Sequence, residues 1–234
     1  LFFPDVSRTE PLLFPIIGFL LQAVTLVIIR NNKVFKSHIR RVFVHPHGFY
    51  QDIRNRRYIQ NSESIYVGMV SALTLSLIFS ALLYYVRIYP AADFAFAHLF
   101  QGAWLLDMFH RLAWEPVRAV ITLTAVIVLV YLILALLIKI ISIFFLHLRR
   151  SRIDYLQILF TMWWSGTCFM LLIPVTIFFY RGLNMDWLSS VELAVLGFFL
   201  LWGFFRMVNS VRVLFNRGYI KLLILIGGIS SMKQ

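Results

Sequence analysis

This 234-residue sequence predicts an all-α fold, a bundle of helices that crosses a membrane several times, and three observations carry that prediction. Residues 119–138 are 20 consecutive positions without a charge, which as a helix span about 30 Å, the thickness of a bilayer's hydrocarbon core. The chain is 61% hydrophobic and 14% charged, and its 23 Phe, 10 Tyr and 6 Trp exceed what a soluble domain of this size needs for a core. Lipid can solvate the surplus. Third, the basic residues behind the net charge of +12 sit in short segments between apolar runs, where topology and contact with anionic lipid explain them better than nucleic acid does.

Five crossings follow from the order of apolar runs. Residues 1–10 form an end outside the membrane, and because Leu1 is not an initiator methionine the reading is that a longer polypeptide precedes it or that the chain has been processed. The first crossing, 11–29, has its two prolines near the start, where missing donors matter least. A basic segment, 30–64, holds Arg30, Lys33, Lys36, Arg40, Arg41, Arg54, Arg56 and Arg57 against only Asp52 and Glu63. The rest, 65–234, is a membrane bundle. Its second crossing, 65–86, ends in Tyr84 and Tyr85, which suit the headgroup boundary. Residues 91–114 mix Phe and Trp with Asp93, His98, Gln101, Asp107, His110 and Arg111, a pattern for an interfacial or re-entrant helix. Glu115-Pro116 marks a boundary, because the residue before proline avoids the helical region.

The third crossing, 117–146, is longer than a perpendicular span and must tilt or protrude, with the Lys139 stem extended toward the nearer polar surface. Arg149, Arg150 and Arg152 separate it from the fourth, 157–180, in which Pro174 predicts a kink. A turn over 181–189 leads to the fifth, 190–208. The final run, 222–229, is eight residues, about 12 Å as a helix; it either ends half-inserted or makes a sixth crossing of a thinned bilayer.

Lys and Arg then decide the orientation. One side carries 16 of them, in Arg30 to Arg57, in Lys139 with Arg149, Arg150 and Arg152, and in Arg206, Arg212, Arg217 and Lys221; the other carries six. Basic loops are retained in the cytoplasm, so 30–64 is expected inside and 1–10 outside.

The constellations that could carry chemistry are sparse. His45-Pro46-His47 puts two imidazoles close together, but no nearby carboxylate or thiolate completes a metal set. Asp107, His110 and Arg111 share a helix face and form a candidate polar interfacial site, for a proton or a headgroup, against the plainer reading of mutual hydrogen bonding. Arg40, Arg41, Arg54, Arg56, Arg57, Arg149, Arg150 and Arg152 are candidate contacts to anionic headgroups, and with Phe35, Phe43, Phe49 and Tyr50 the segment 30–57 reads as an amphipathic helix lying on lipid or as a topological retention signal. Ser71, Thr74, Ser76, Ser80, Thr122, Thr124, Ser165 and Thr167 are expected to make helix-to-helix or helix-to-backbone hydrogen bonds. Ionisable residues within the crossings lie near their ends: Lys139, Glu192 and Arg206. Cys168 stands alone in an apolar run, so neither a disulfide framework nor a cysteine metal motif is available. No phosphate loop, nucleophile elbow, HExxH or catalytic acid pair is present, and neither an enzyme nor a cofactor is expected.

The segment His45-Pro46-His47-Gly48-Phe49-Tyr50-Gln51-Asp52-Ile53-Arg54 runs directly into closely spaced crossings, followed by Leu146-His147-Leu148, by Tyr155 to Phe160 leading to Pro174, and by Trp202-Gly203-Phe204-Phe205-Arg206 close to Arg217-Gly218-Tyr219-Ile220-Lys221. Over residues 42–229 this order resembles the bacterial branch of the Yip family of polytopic membrane proteins. Three features depart from that pattern: Arg149-Arg150-Ser151-Arg152 replaces the family's Gly pair, the final crossing is truncated, and an extra first crossing precedes the matching part. The resemblance implies a bundle in the bacterial cytoplasmic (inner) membrane and a non-enzymatic role, and it transfers no site. The leading functional expectation is therefore a non-catalytic anchor or scaffold that holds protein partners at the membrane, as one subunit of a larger complex. A transporter or lipid-handling protein is the alternative, and a subunit of an energy-converting complex shares the scaffold's signature.

Overall fold

A computed structural model describes residues 12–55, 60–87, 108, 111–146, 153–183 and 185–215, the side chains of 144–146 and 186–187 excepted. Among the described residues there are helices and no strands: α1 Leu13–Asn31, α2 Lys33–Val44, α3 Pro46–Arg54, α4 Asn61–Val86, α5 Pro116–Leu146, α6 Tyr155–Ser165, α7 Thr167–Met170, α8 Ile173–Leu183 and α9 Asp186–Phe215. Four of these, α1, α4, α5 and α9, are long and apolar enough to cross a membrane, and α6 through α8, bent by 55°, bring the number to five if the bent pair is one span rather than a re-entrant loop. The crossings expected from the sequence correspond to these spans in order. Residues 222–229 and nearly all of 91–114 lie outside the described residues.

The fourth span breaks where its sequence cannot continue an α-helix. The amide of Gly166 already turns back to the Met162 and Trp163 carbonyls, Leu171 and Leu172 turn in the same three-residue manner, and Pro174 then opens α8 within its first turn. A proline there costs least, because the first turn of a helix has no internal partner for that donor. Backbone freed in lipid must be satisfied inside the protein. Ser71 of α4 does this, donating to the Gly166 carbonyl at 3.0 Å.

The helix α4 is the hub. Two thirds of its most apolar stretch is buried, against 6% for α5 and 11% for α9, whose outer faces carry Ile121, Leu129, Ile133, Phe198, Leu201 and Phe204 into the lipid. Between apolar helices in lipid, close approach and hydrogen bonds replace the hydrophobic drive. Both occur. Trp163 lies flat on Gly68 of α4, Phe169 presses on Gly203 of α9, and Thr176 of α8 meets Gly18 of α1. Thr124 of α5 donates to Ser76 of α4 at 2.7 Å, and Ser80 reaches the Pro116 carbonyl at 3.4 Å. Seven of the eight polar groups expected at mid-depth, Ser71, Thr74, Ser76, Ser80, Thr124, Ser165 and Thr167, are thus joined to neighbouring helices or to their own backbone.

At 31 and 30 residues, α5 and α9 reach about 46 and 45 Å, well beyond the hydrocarbon core. The surplus has a use at one end of the bundle. Lys139, expected to extend toward a polar surface, donates instead to the Ile153 carbonyl at the start of α6.

The glycine contacts give a paired test. A methyl at residue 68 would lie 2.5 Å from the Trp163 ring, whereas nothing lies within 4 Å of a methyl at 197. Gly68→Val is expected to destabilise the bundle by about 1–3 kcal/mol and Gly197→Ala to leave it unchanged or slightly firmer, measured as thermal unfolding in one detergent.

A candidate functional site beneath a two-helix cap

The basic segment does not lie on lipid as a single helix. It folds as two, with Asn32 capping α2 by accepting the Phe35 amide at 2.9 Å and Pro46 opening α3 at its first position. The expected amphipathic character is present, but the apolar face made by Phe35, Val42, Phe49, Tyr50 and Ile53 is buried against Val67 of α4, Trp164 of α6 and Val213 of α9. The physical reason is available surface: the ends of α4, α6 and α9 leave an apolar depression that α2 and α3 can fill together.

Polar bonds fix this cap at its edges. Gln157 of α6 donates to the Arg54 carbonyl at 3.2 Å, Arg54 donates to the Val213 carbonyl at 3.4 Å, and Arg206 donates to the Val42 carbonyl at 3.1 Å. Because those bonds join α2 and α3 to α6 and α9, the described basic residues of α2 and α3 share one end of the bundle with Arg206. The opposite end holds Arg87, stacked between the Tyr84 and Trp114 rings, and the Glu115–Arg118 pair at 2.9 Å.

Under the cap lies the one buried carboxyl-imidazole pair among the described residues. Nδ1 of His38 on α2 is 2.7 Å from Oε2 of Glu63 on α4, both side chains less than a tenth exposed. Trp164 closes the site, with its ring against His38 and Phe49 and its Nε1 donating to Ser64 at 2.9 Å. Oε1 of Glu63 is buried without a partner. A carboxylate acceptor favours the arrangement in which His38 donates to it. One turn across, the Tyr50 hydroxyl is buried beside the Arg206 guanidinium with no hydrogen bond of good geometry, and burial raises its pKa above the ordinary value despite the pull of Arg206.

The residues singled out in the sequence fall into three groups. Arg40 is exposed, Arg41 is paired with Asp52 at 2.5 Å, and Arg54 is turned to Val213, so two of these three candidate headgroup contacts are engaged within the protein. Arg56, Arg57, Arg149, Arg150 and Arg152 lie outside the described residues, as do Asp107 and His110; Arg111 is exposed. His45 and His47 are exposed, His47 bonds Gln51 at 3.0 Å, and no cluster of three metal-ligating side chains exists among the described residues. His38 and Glu63 escaped the sequence reading because 25 residues separate them. The one available signal was an acid at the very lip of an apolar run in a chain that has ten.

Removing one partner of a buried pair costs more than removing both. His38→Ala is expected to destabilise by about 3–5 kcal/mol and to make residues 32–55 cleavable by added protease, while His38→Phe with Glu63→Leu is milder than His38→Ala alone. Thermal unfolding with limited proteolysis in the same detergent checks both, and equal loss in the two variants would show that the pair has no special role. No family model, no curated protein and no solved structure matches this chain.

Proposed function

We propose that the protein is a non-catalytic membrane anchor, a bundle that holds a fixed two-helix platform at the cytoplasmic face for protein partners in a larger assembly. The observation that supports it is the cap. A segment needed only to retain positive charge on one side gains nothing from folding, yet here its apolar face is buried and its outer face, with Lys33, Lys36, Arg40 and Arg41, is held in one orientation. Rigid presentation lowers the ordering cost of docking. The resemblance to the bacterial Yip family adds a membrane bundle of non-enzymatic role, and the excess of Lys and Arg at the capped end supports placing it in the cytoplasm of a bacterial inner membrane.

A second reading, lipid or solute handling, has its own support in two apolar grooves beside the bend, of about 160 and 250 Å³, whose walls include exposed residues of the lipid-facing surface. Scrambling of labelled lipid in liposomes at the rate of protein-free vesicles excludes it.

Two measurements test the anchor. In a Cys168→Ser background, an impermeant maleimide added to intact cells is expected to label Arg118→Cys and to spare Arg40→Cys until the cells are opened; the reverse pattern overturns the orientation. A photo-crosslinking residue at Lys36 or Arg40 is expected to give protein adducts of one defined mass, and the same residue at Leu129 to give lipid adducts. Lipid adducts alone from all three positions would sink the anchor reading.

A further inference from the structure

Among the described residues no acid answers the charge of Arg206. Its guanidinium stacks against Phe43 of α2 and Trp202 of α9, with ring centroids 5.1 and 5.7 Å away, and one nitrogen donates to the Val42 carbonyl. Among the described residues no carboxylate forms an ion pair with it, and its Nε is buried without a partner. The adjacent Tyr50 hydroxyl cannot serve as the counter-charge, because burial keeps it protonated. A half-buried cation at the edge of a membrane, held by rings and one carbonyl, is stabilised when an anion completes it.

The surroundings say which anion. Phe43, the ring beneath Arg206, also forms part of the wall of the 160 Å³ groove, which runs under α2 between α1 and the bend of the fourth span. The groove is apolar, and its sides at Leu26, Leu171 and Pro174 are exposed on the lipid-facing surface. The bend creates it: α8 packs on α1 at one depth, while α6 departs from α1 at the other. A negative group at Arg206 would therefore lie one ring, Phe43, away from a slot open to acyl chains.

We infer that Arg206 and this groove form a binding site for one anionic phospholipid of the leaflet on the capped side, with its phosphate on the guanidinium and an acyl chain along Pro174 and Leu171. The site differs in kind from the exposed arginines of the cap, which attract headgroups without selecting a chain. It also stands independently of the anchor reading, since a lipid can complete the fold whatever the platform binds.

Native mass spectrometry of the full chain in detergent, with phosphatidylglycerol and phosphatidylcholine of identical chains added in competition, tests it. Wild type is expected to retain phosphatidylglycerol about tenfold over phosphatidylcholine, a ratio within reach of one charge-assisted hydrogen bond. Arg206→Gln is expected to erase the preference, Arg206→Lys to keep part of it, and Arg40→Gln to leave it. Leu171→Trp, at an exposed position and therefore safe for folding, is expected to lower retention of both lipids by filling the slot, and glycerol phosphate without chains is expected not to compete. The inference is overturned if Arg206→Gln keeps the wild-type ratio, if Arg40→Gln removes it, if Leu171→Trp retains both lipids as wild type does, or if glycerol phosphate displaces the lipid.

Discussion

Burial of Trp164 is the contact on which the rest of the molecule depends. Among the described residues it is the largest fully buried side chain, and it meets three helices at once: Phe35 and His38 of α2, Phe49 of α3 and Ser64 of α4 all touch it. Its size fills the depression between the ends of α4 and α6, and its one donor reaches Ser64, so no polar atom of the indole is left unpaired. The cap can seat only on such a floor.

From that floor the polar chemistry follows. His38 and Glu63 are brought together because α2 is pressed onto α4 by its apolar face, and the pair then sits where water is excluded. Such a pair is weak evidence for stability in itself, because desolvation offsets much of the attraction. Its value lies in register: only one placement of α2 lets the imidazole answer the carboxyl. A comparable tension sits at the opposite end, where the Glu192 carboxyl is packed on Gly182 with one oxygen unpartnered, so that a larger residue at 182 would have to push that side chain aside.

The bend in the fourth span links the two halves of the argument. Three short helices in place of one free several backbone groups in a medium that offers no water, and they are covered by Ser71 and by turn bonds along 163–172. The same bend lets Trp163 and Phe169 reach Gly68 and Gly203, and it opens the grooves on either side. One irregularity thus produces both close packing and open space.

The sequence by itself determined the helical membrane character and the order of the long apolar helices, because hydrocarbon thickness demands long uncharged runs. It also located the kink near Pro174 and the hydrogen-bonding hydroxyls, since local chemistry decides those. Tertiary structure alone decided that residues 30–55 turn their apolar face to the bundle, because an amphipathic helix fits lipid or protein equally well until a matching depression exists. Likewise, His38 meets Glu63, and Arg206 meets Phe43 with no acid nearby, only after packing has chosen which helix ends touch. Spacing along a chain carries no record of that choice.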